Sequence, residues 1–371
     1  MTAERTKILF LLPSLGGGGA ERVFITLLRH FSRDKFELHL GLLQPTGPYL
    51  TDVPADVRVH ALNVRRTRYA IPSIIRLAWR VRPQVVISTP VNLNLVVIAS
   101  KVLWPRTVRL FVRESITLSH FLEEETKRPA LWRFLYGFLY RRADAVVCLC
   151  EAMSRDLLQA FSVPSTKLRH IYNPVDTGRL RVLVEGSRSP YETSGPNLVA
   201  VGRLENQKGF DLLLDAMAIV SRRCPTARLT VLGDGPLREQ LEKQRRNLRL
   251  TDTVQFLGFQ DNPFPYYRWA DLFISVSKYE GLPNTILEAI ALGTPVLAAD
   301  CAGGVREIIE LFPEKAFLCE RSISAVADRI LDLCKNDCLK GPCLESARAR
   351  FESSFGVHAV VRKYEQVLSA D

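Results

Sequence analysis

The sequence predicts an α/β protein made of two doubly wound, Rossmann-like parallel-sheet domains. At 371 residues the chain exceeds the size at which a single hydrophobic core stops growing. Short apolar runs of strand length alternate with longer segments of helical period, the pattern of parallel sheets with helical crossovers. The order strand, glycine-bearing loop, helix begins twice, at residue 7 and again at residue 197. Ahead of the second start, residues 183–196 collect Gly186, Ser187, Ser189, Pro190, Ser194, Gly195 and Pro196, the most linker-like stretch in the chain. The domains are therefore expected over residues 1–182 and 190–354.

Residues 7–12 (KILFLL) read as the first strand. Gly16, Gly17, Gly18 and Gly19 follow, then a helix over about 20–31, the arrangement that offers helix N-terminal amides to a phosphate. The GGGGAER sequence lacks G-x-G-x-x-G, and no acidic residue closes a second strand to hold a ribose, which argues against a nicotinamide-dependent oxidoreductase. A strand over 36–43, a helix over 71–81, a strand over 84–88 and a helix over 91–103 come next. The strand 108–112 runs into Arg113-Glu114-Ser115, polar groups at a strand's carboxyl end. Residues 129–142 (PALWRFLYGFLYRR) carry aromatics most of the way round a helix. They suit packing on a sheet or, with Arg133, Arg141 and Arg142 alongside, an interfacial helix on anionic lipid. A strand over 144–150, a helix from Glu151 and a strand over 167–172 lead to Asn173-Pro174-Val175-Asp176.

In the second half, strand 197–201 is followed by Gly202-Arg203-Leu204 and by Lys208-Gly209 before a helix over 210–222. A guanidinium and an ammonium beside a helix N-terminus can neutralise a departing diphosphate without supplying a proton. Residues 228–232 are a strand, Gly233-Asp234-Gly235-Pro236 a turn opening a helix to 248, and 254–258 a strand. Residues 273–276 form a buried strand, 277–282 a loop, and a helix opens at Pro283, where a missing N–H costs nothing. Gly293 ends that helix and 295–299 is the next strand. Glu280 lies in the loop and Glu288 in the second helical turn. Eight residues of helix span about 12 Å, too far to grip one atom but right for two ends of an extended ligand. Gly303 and Gly304 offer close backbone approach before a further helix, and the last helix covers about 357–368.

Charge separates the halves. Residues 1–181 hold 27 Lys+Arg against 14 Asp+Glu, a net of +13, and the remainder holds 23 against 25, a net of −2. The first half thus expects an anionic partner: lipid head groups, a diphosphate or nucleic acid. The eight cysteines show no zinc-like or disulfide-like spacing, Cys334, Cys338 and Cys343 included, and read as reduced thiols. The longest apolar stretch, 85–104, is broken by polar residues and is no spanning helix, and the N-terminus enters a strand directly, so no secretory leader is expected.

Taken together, Gly-Gly-x-x-Glu at the first loop, Arg203 with Lys208, Gly233-Asp234-Gly235, and Glu280-x7-Glu288 ending in Gly-Thr-Pro-Val resemble the retaining glycosyltransferases of family 4. The resemblance covers nearly all of the chain. It implies a GT-B fold, two Rossmann-like domains facing a cleft, with a C-terminal helix of about 355–371 returning to the first. It implies a nucleotide-diphosphate sugar as donor, a UDP-linked hexose or N-acetylhexosamine, with no metal and no cofactor. Donor-binding residues would be Gly17, Gly18, Gly202, Arg203, Lys208, Gly233, Gly258, Phe259, Glu280, Gly281, Leu282, Asn284 and Glu288. Arg203, Lys208, Glu280 and Glu114 would be catalytic, and Arg113, Glu114 and Asn92 would meet the acceptor. Relatives commonly carry a histidine near Glu114, so a histidine-dependent step does not carry over, and His120 reads as a loop residue. Pro283 lacks the N–H that a relative with glycine there would offer. The acceptor expected is a lipid-linked or cell-surface glycan, such as a polyprenyl-diphosphate-linked one, on the inner face of the cytoplasmic membrane, with no nucleic acid. The alternatives are a soluble sugar-phosphate acceptor, or a non-catalytic protein binding nucleotide sugar or membrane.

Overall fold

The structure, a computed structural model, describes residues 5–192, 195–335 and 345–369. Cys338 and Cys343 lie outside the described residues. The chain divides into two compact units, one ending at Pro174 and taking up the chain again from Ser354, the other Val175–Ser353.

The first unit is a parallel seven-stranded sheet in the order β3-β2-β1-β4-β5-β6-β7. Its strands are β1 (Thr6–Leu12), β2 (Phe36–Leu42), β3 (Arg58–Ala61), β4 (Val85–Ser88), β5 (Arg109–Arg113), β6 (Ala145–Cys148) and β7 (Leu168–His170). The inner strands are apolar on both faces because helices cover both: Ile8–Leu12 and Val85–Ser88 are buried throughout. The last helix, Val357–Ser369, packs on the helix Gly19–His30, with Ser32 N–H donating to Glu365 at 2.9 Å and Phe31 against Tyr364.

The second unit is a parallel six-stranded sheet in the order β10-β9-β8-β11-β12-β13. Here β8 is Asn197–Val201, β9 Arg228–Leu232, β10 Val254–Gly258, β11 Leu272–Ser275, β12 Val296–Ala299 and β13 Ala316–Cys319. Strand order reverses between β1 and β4 in the first unit and between β8 and β11 in the second. In open α/β sheets a ligand crevice opens beyond the carboxyl ends at that reversal.

Three expectations shift. The helix Thr177–Val184 belongs to the second unit, lying on the helix Phe264–Trp269, so that unit begins before residue 182. The linker-like stretch is tied down: Asn262 donates to the Leu183 carbonyl at 2.9 Å and Tyr191 Oη to that of Tyr266 at 2.7 Å. The helix after β11 starts at Asn284, with Pro283 extended at the N-cap; proline lacks the N–H at either position. Gly293, at φ +82°, terminates it as expected.

The aromatic helix, Pro129–Tyr140, buries only Tyr136, Gly137 and Tyr140. Gly137 lets it approach the end of the helix Glu151–Phe161, where a Cβ would sit 2.7 Å from the Phe161 carbonyl oxygen. Leu131, Trp132, Phe134 and Phe138 are exposed, Phe134 by 69%, so core packing accounts for one edge of this helix alone.

Candidate active site

At the strand-order reversal of the second unit, glycines bring three chain turns together. Gly202 N–H donates to Leu232 O at 3.0 Å and Gly233 N–H to Gly258 O at 2.8 Å. Gly233 has φ +123°, and a Cβ there would run into the Gly202 carbonyl oxygen, so only glycine fits. The carboxyl ends of β8, β9 and β10 are thus presented as bare backbone.

Lys208 follows from the turn Asn206–Lys208, its stem lying along Gly202, where an added Cβ would stand 3.4 Å from its Cδ. Its ammonium donates to Glu280 Oε1 at 2.6 Å, and Ser277 Oγ donates to the same oxygen at 2.7 Å. The loop bearing Glu280 is held from two sides. Gln207 Nε2 donates to Tyr279 O at 2.9 Å and Lys278 N–H to Gln207 O at 2.7 Å; Glu280 N–H donates to Ala302 O at 2.8 Å and Gly304 N–H to Gly281 O at 2.7 Å. Gly303, at φ +119°, is required because a Cβ would strike the Glu280 carbonyl. Its close approach is to this loop's own backbone.

Glu288 projects from the helix Asn284–Ala291, is 5% exposed, and accepts from Tyr267 Oη at 3.4 Å. Tyr267 is itself fixed by stacking on Phe273. Gly281 and Leu282 are buried, whereas Asn284 is half-buried at the helix start. Arg203, next to Gly202, has a side chain 72% exposed and paired with Glu205 at 3.2 Å. Phe259, just beyond Gly258, is also exposed.

In the first unit Gly17 has φ +93° and Gly18 caps the helix Gly19–His30. The Glu21 carboxylate crowds the Gly18 α-carbon, where a Cβ would meet it, and it interacts electrostatically with Arg113. Arg113 is 1% exposed; one guanidinium nitrogen donates to Asn173, while its Nε and Nη1 find no acceptor among the described residues. Glu114 is fully buried. Its Oε1 accepts from Asn94 Nδ2 at 2.8 Å and from Tyr140 Oη, and its Oε2 has no donor among the described residues. Asn94 also donates to the Arg113 carbonyl at 3.1 Å and accepts from Ser88 Oγ at 2.7 Å. Burial pushes the Glu114 carboxyl up to about 7, against the opposing pull of Tyr140, Asn94 and Arg113. Burial also lowers Arg113 and, with the Glu114 charge, raises Tyr140.

Of the residues expected at the acceptor, Arg113 and Glu114 are buried within the first unit. Asn92 is exposed, and the asparagine at Glu114 is Asn94. Two positions along a helix are about 200° apart, so the two asparagines face opposite ways. The residues missed are Asn94, Tyr140 and Asn173. An asparagine in VNLNLVVIAS, set among apolar residues on the helix's buried face, was the available signal for the first, and the other two carried none of their own.

Both units match known families. Residues 17–179 match the Glycosyltransferase Family 4 domain and residues 195–336 the Glycosyl transferases group 1 domain. The chain belongs to this family of GT-B glycosyltransferases. Among its relatives, a Campylobacter jejuni enzyme, N-acetylgalactosamine-N,N'-diacetylbacillosaminyl-diphospho-undecaprenol 4-alpha-N-acetylgalactosaminyltransferase, is 28% identical over 81% of this chain and 83% of its own. The lipopolysaccharide core biosynthesis glycosyltransferase LpsE of Rhizobium meliloti is 27% identical over 77% of each chain. The fold is that of Anabaena HepE, whose structure holds UDP and glucose: TM-score 0.78 at 23% identity, covering 99% of this chain and 100% of that one.

Proposed function

We propose that this glycosyltransferase moves a hexose or N-acetylhexosamine from a UDP-sugar to a lipid-linked glycan, with retention at the anomeric carbon. The observation that carries it is Lys208 paired with Glu280 beside the glycine-lined ends of β8 and β9, at the strand-order reversal. UDP and glucose in HepE and the diphospho-undecaprenol substrate named for the Campylobacter relative support the donor and acceptor classes.

In this reading Lys208 and Arg203 neutralise the diphosphate as it leaves, a role that favours the transition state over the ground state. Glu280 turns from Lys208 to the transferred sugar's hydroxyls, the helix amides from Asn284 onward add donors, and Glu288 holds the ribose hydroxyls. The bond from the anomeric carbon to the β-phosphate oxygen breaks, and the acceptor oxygen bonds to that carbon on the same face. The acceptor's proton passes to the leaving phosphate, giving UDP and the extended glycan without a metal ion. Peripheral binding to anionic membrane belongs to the same reading. Phe134 and Phe138 stand exposed with the Arg142 guanidinium 4.6 Å from the Phe138 ring, in the half of the chain with the excess positive charge. No helix among the described residues is long and apolar enough to cross a membrane.

Thermal unfolding with UDP, GDP, ADP, NAD and a set of UDP-sugars tests the donor. At about 100 times its dissociation constant a ligand adds about 2.7 kcal/mol, which raises the midpoint by a few degrees. A rise with UDP and one UDP-sugar is expected; a rise with NAD and none with nucleotide diphosphates overturns the reading. For the membrane, co-sedimentation with phosphatidylglycerol vesicles should be lost in a Trp132→Ser, Phe134→Ser variant, and unaltered pelleting would count against this surface.

A further inference from the structure

A cavity distinct from the donor loops lies wholly within the second unit and has a volume of about 360 Å³. That is within the range of small-molecule sites, about 300–1,000 Å³. Its walls come from the helix Thr177–Val184, the helix Phe264–Trp269, the end of the helix Asn284–Ala291, the turn before β13 and the helix Glu345–Ser354. Five separate chain segments therefore converge on one concavity.

Its charge is lopsided. Arg181, Arg268, Arg348 and Lys315 line it against Glu314 and Glu352. Glu314 is paired with Arg350, and Glu352, which accepts from the Thr177 hydroxyl at 2.6 Å, leaves one carboxylate charge against the three arginines. Among the described residues Arg181, Arg268 and Arg348 have no carboxylate partner, and Arg268 makes only a cation–π contact with Trp269. Part of this charge complements the carboxyl end of the helix Asn284–Ala291, whose last turn and Gly293 border the cavity. A helix end carries about half an elementary charge, so three guanidinium groups far exceed that need. Arginine forks match phosphate oxygens in pairs.

We propose that this cavity is an effector site for a phosphate-bearing small molecule of sugar-phosphate size. The bordering helix is the one that carries Glu288, so an anion held by Arg181, Arg268 and Arg348 bears on that helix's far end. Binding there is coupled to binding at the donor loops, and the coupling is reciprocal.

Calorimetry with glucose 6-phosphate as probe, on the full chain carrying Lys208→Ala to remove one phosphate contact at the donor loops, reads the cavity through its dependence on Arg181 and Arg348. Saturable binding that weakens with added salt and falls at least tenfold on adding Arg181→Ala and Arg348→Ala is expected. Both arginines are exposed, so these changes leave folding intact, which thermal unfolding checks. No binding, or binding indifferent to the two arginines, overturns the site; glucose binding as strongly would equally overturn recognition of phosphate. In the otherwise unaltered chain, saturating probe should change UDP affinity several-fold. An unchanged UDP affinity with the cavity filled overturns the effector role. Failure of UDP to bind at all would instead strike the donor reading, and the Lys208→Ala titration still reports on the cavity.

Discussion

The two units treat a glutamate beside a cation in opposite ways. In the second, Glu280 meets Lys208 at 2.6 Å in a loop at the edge of solvent, with the Lys208 side chain 22% exposed. In the first, Glu114 and its neighbour Arg113 are sealed inside, with a carboxyl oxygen and two guanidinium nitrogens lacking partners among the described residues. An ion pair at the rim can open when a diphosphate competes for the ammonium. A buried polar cluster is costly to rearrange, because each displaced group loses a bond that water cannot replace. The rim pair is suited to exchange with a ligand, and the buried cluster ties strand ends together.

The largest expected effect breaks the rim pair. Lys208→Ala should lower kcat/KM by about 10²–10³-fold, the usual loss on removing one donor to developing charge. Arg203→Ala should also slow transfer, yet leave the unfolding free energy within about 0.5 kcal/mol of the parent, since an exposed pair such as Arg203–Glu205 contributes little. Steady-state kinetics beside urea unfolding separates the two, and full turnover in Lys208→Ala would sink its assignment to the leaving group.

Breaking the buried cluster should act on stability first. Glu114→Ala leaves Asn94 Nδ2 and Tyr140 Oη short of an acceptor inside the unit, and about 2–3 kcal/mol should go from the urea-derived stability. Glu114→Gln tests the proton. Burial raises this carboxyl from 4.5 to about 7, so the folded chain binds a proton that the unfolded chain has released. Its contribution is therefore fully present below pH 4.5 and is lost as pH rises through about 7. Glutamine cannot titrate, so the variant's midpoint should improve relative to the parent between about pH 5 and about pH 8. A difference independent of pH would mean that Glu114 stays ionised throughout.

The same contrast governs what could be read in the chain. Central strands such as β1 and β4 were legible because burial on both faces demands an unbroken apolar run. The edge strands β3 (RVHA) and β13 (AFLC) were not, since each is four residues long and partly exposed. Gly233, Gly303 and Gly293 announced turns whose positive φ only glycine takes readily. Lys208 and Glu280 lie 72 residues apart, and nothing in periodicity joins them. The resemblance of their flanking motifs did so. The Glu114 cluster draws Asn94, Tyr140 and, through Arg113, Asn173 from three elements whose local sequences serve other ends, two helices and a strand exit. Tyr140 in particular sits in a helix that carries aromatics most of the way round, so nothing local marks it as the one that meets Glu114.

Tyr140→Phe should disturb the buried cluster less than Glu114→Ala and sharpens the comparison most finely. The ring and its packing on Tyr136 remain; only the hydroxyl that donates to Glu114 is lost. One hydrogen bond to a buried carboxyl contributes about 1 kcal/mol, and about twice that when the carboxyl is charged, so stability should fall by about 1–2 kcal/mol near pH 8. Because that bond favours the ionised form, its loss should move the Glu114 titration higher still, and the penalty should shrink as the carboxyl becomes protonated. Combining Tyr140→Phe with Glu114→Gln in a double-mutant cycle isolates the pair: a coupling that grows from about pH 5 to about pH 8 is expected. A coupling near zero at both pH values would show that the hydroxyl and the carboxyl act independently, and the first unit's cluster would then be packing alone.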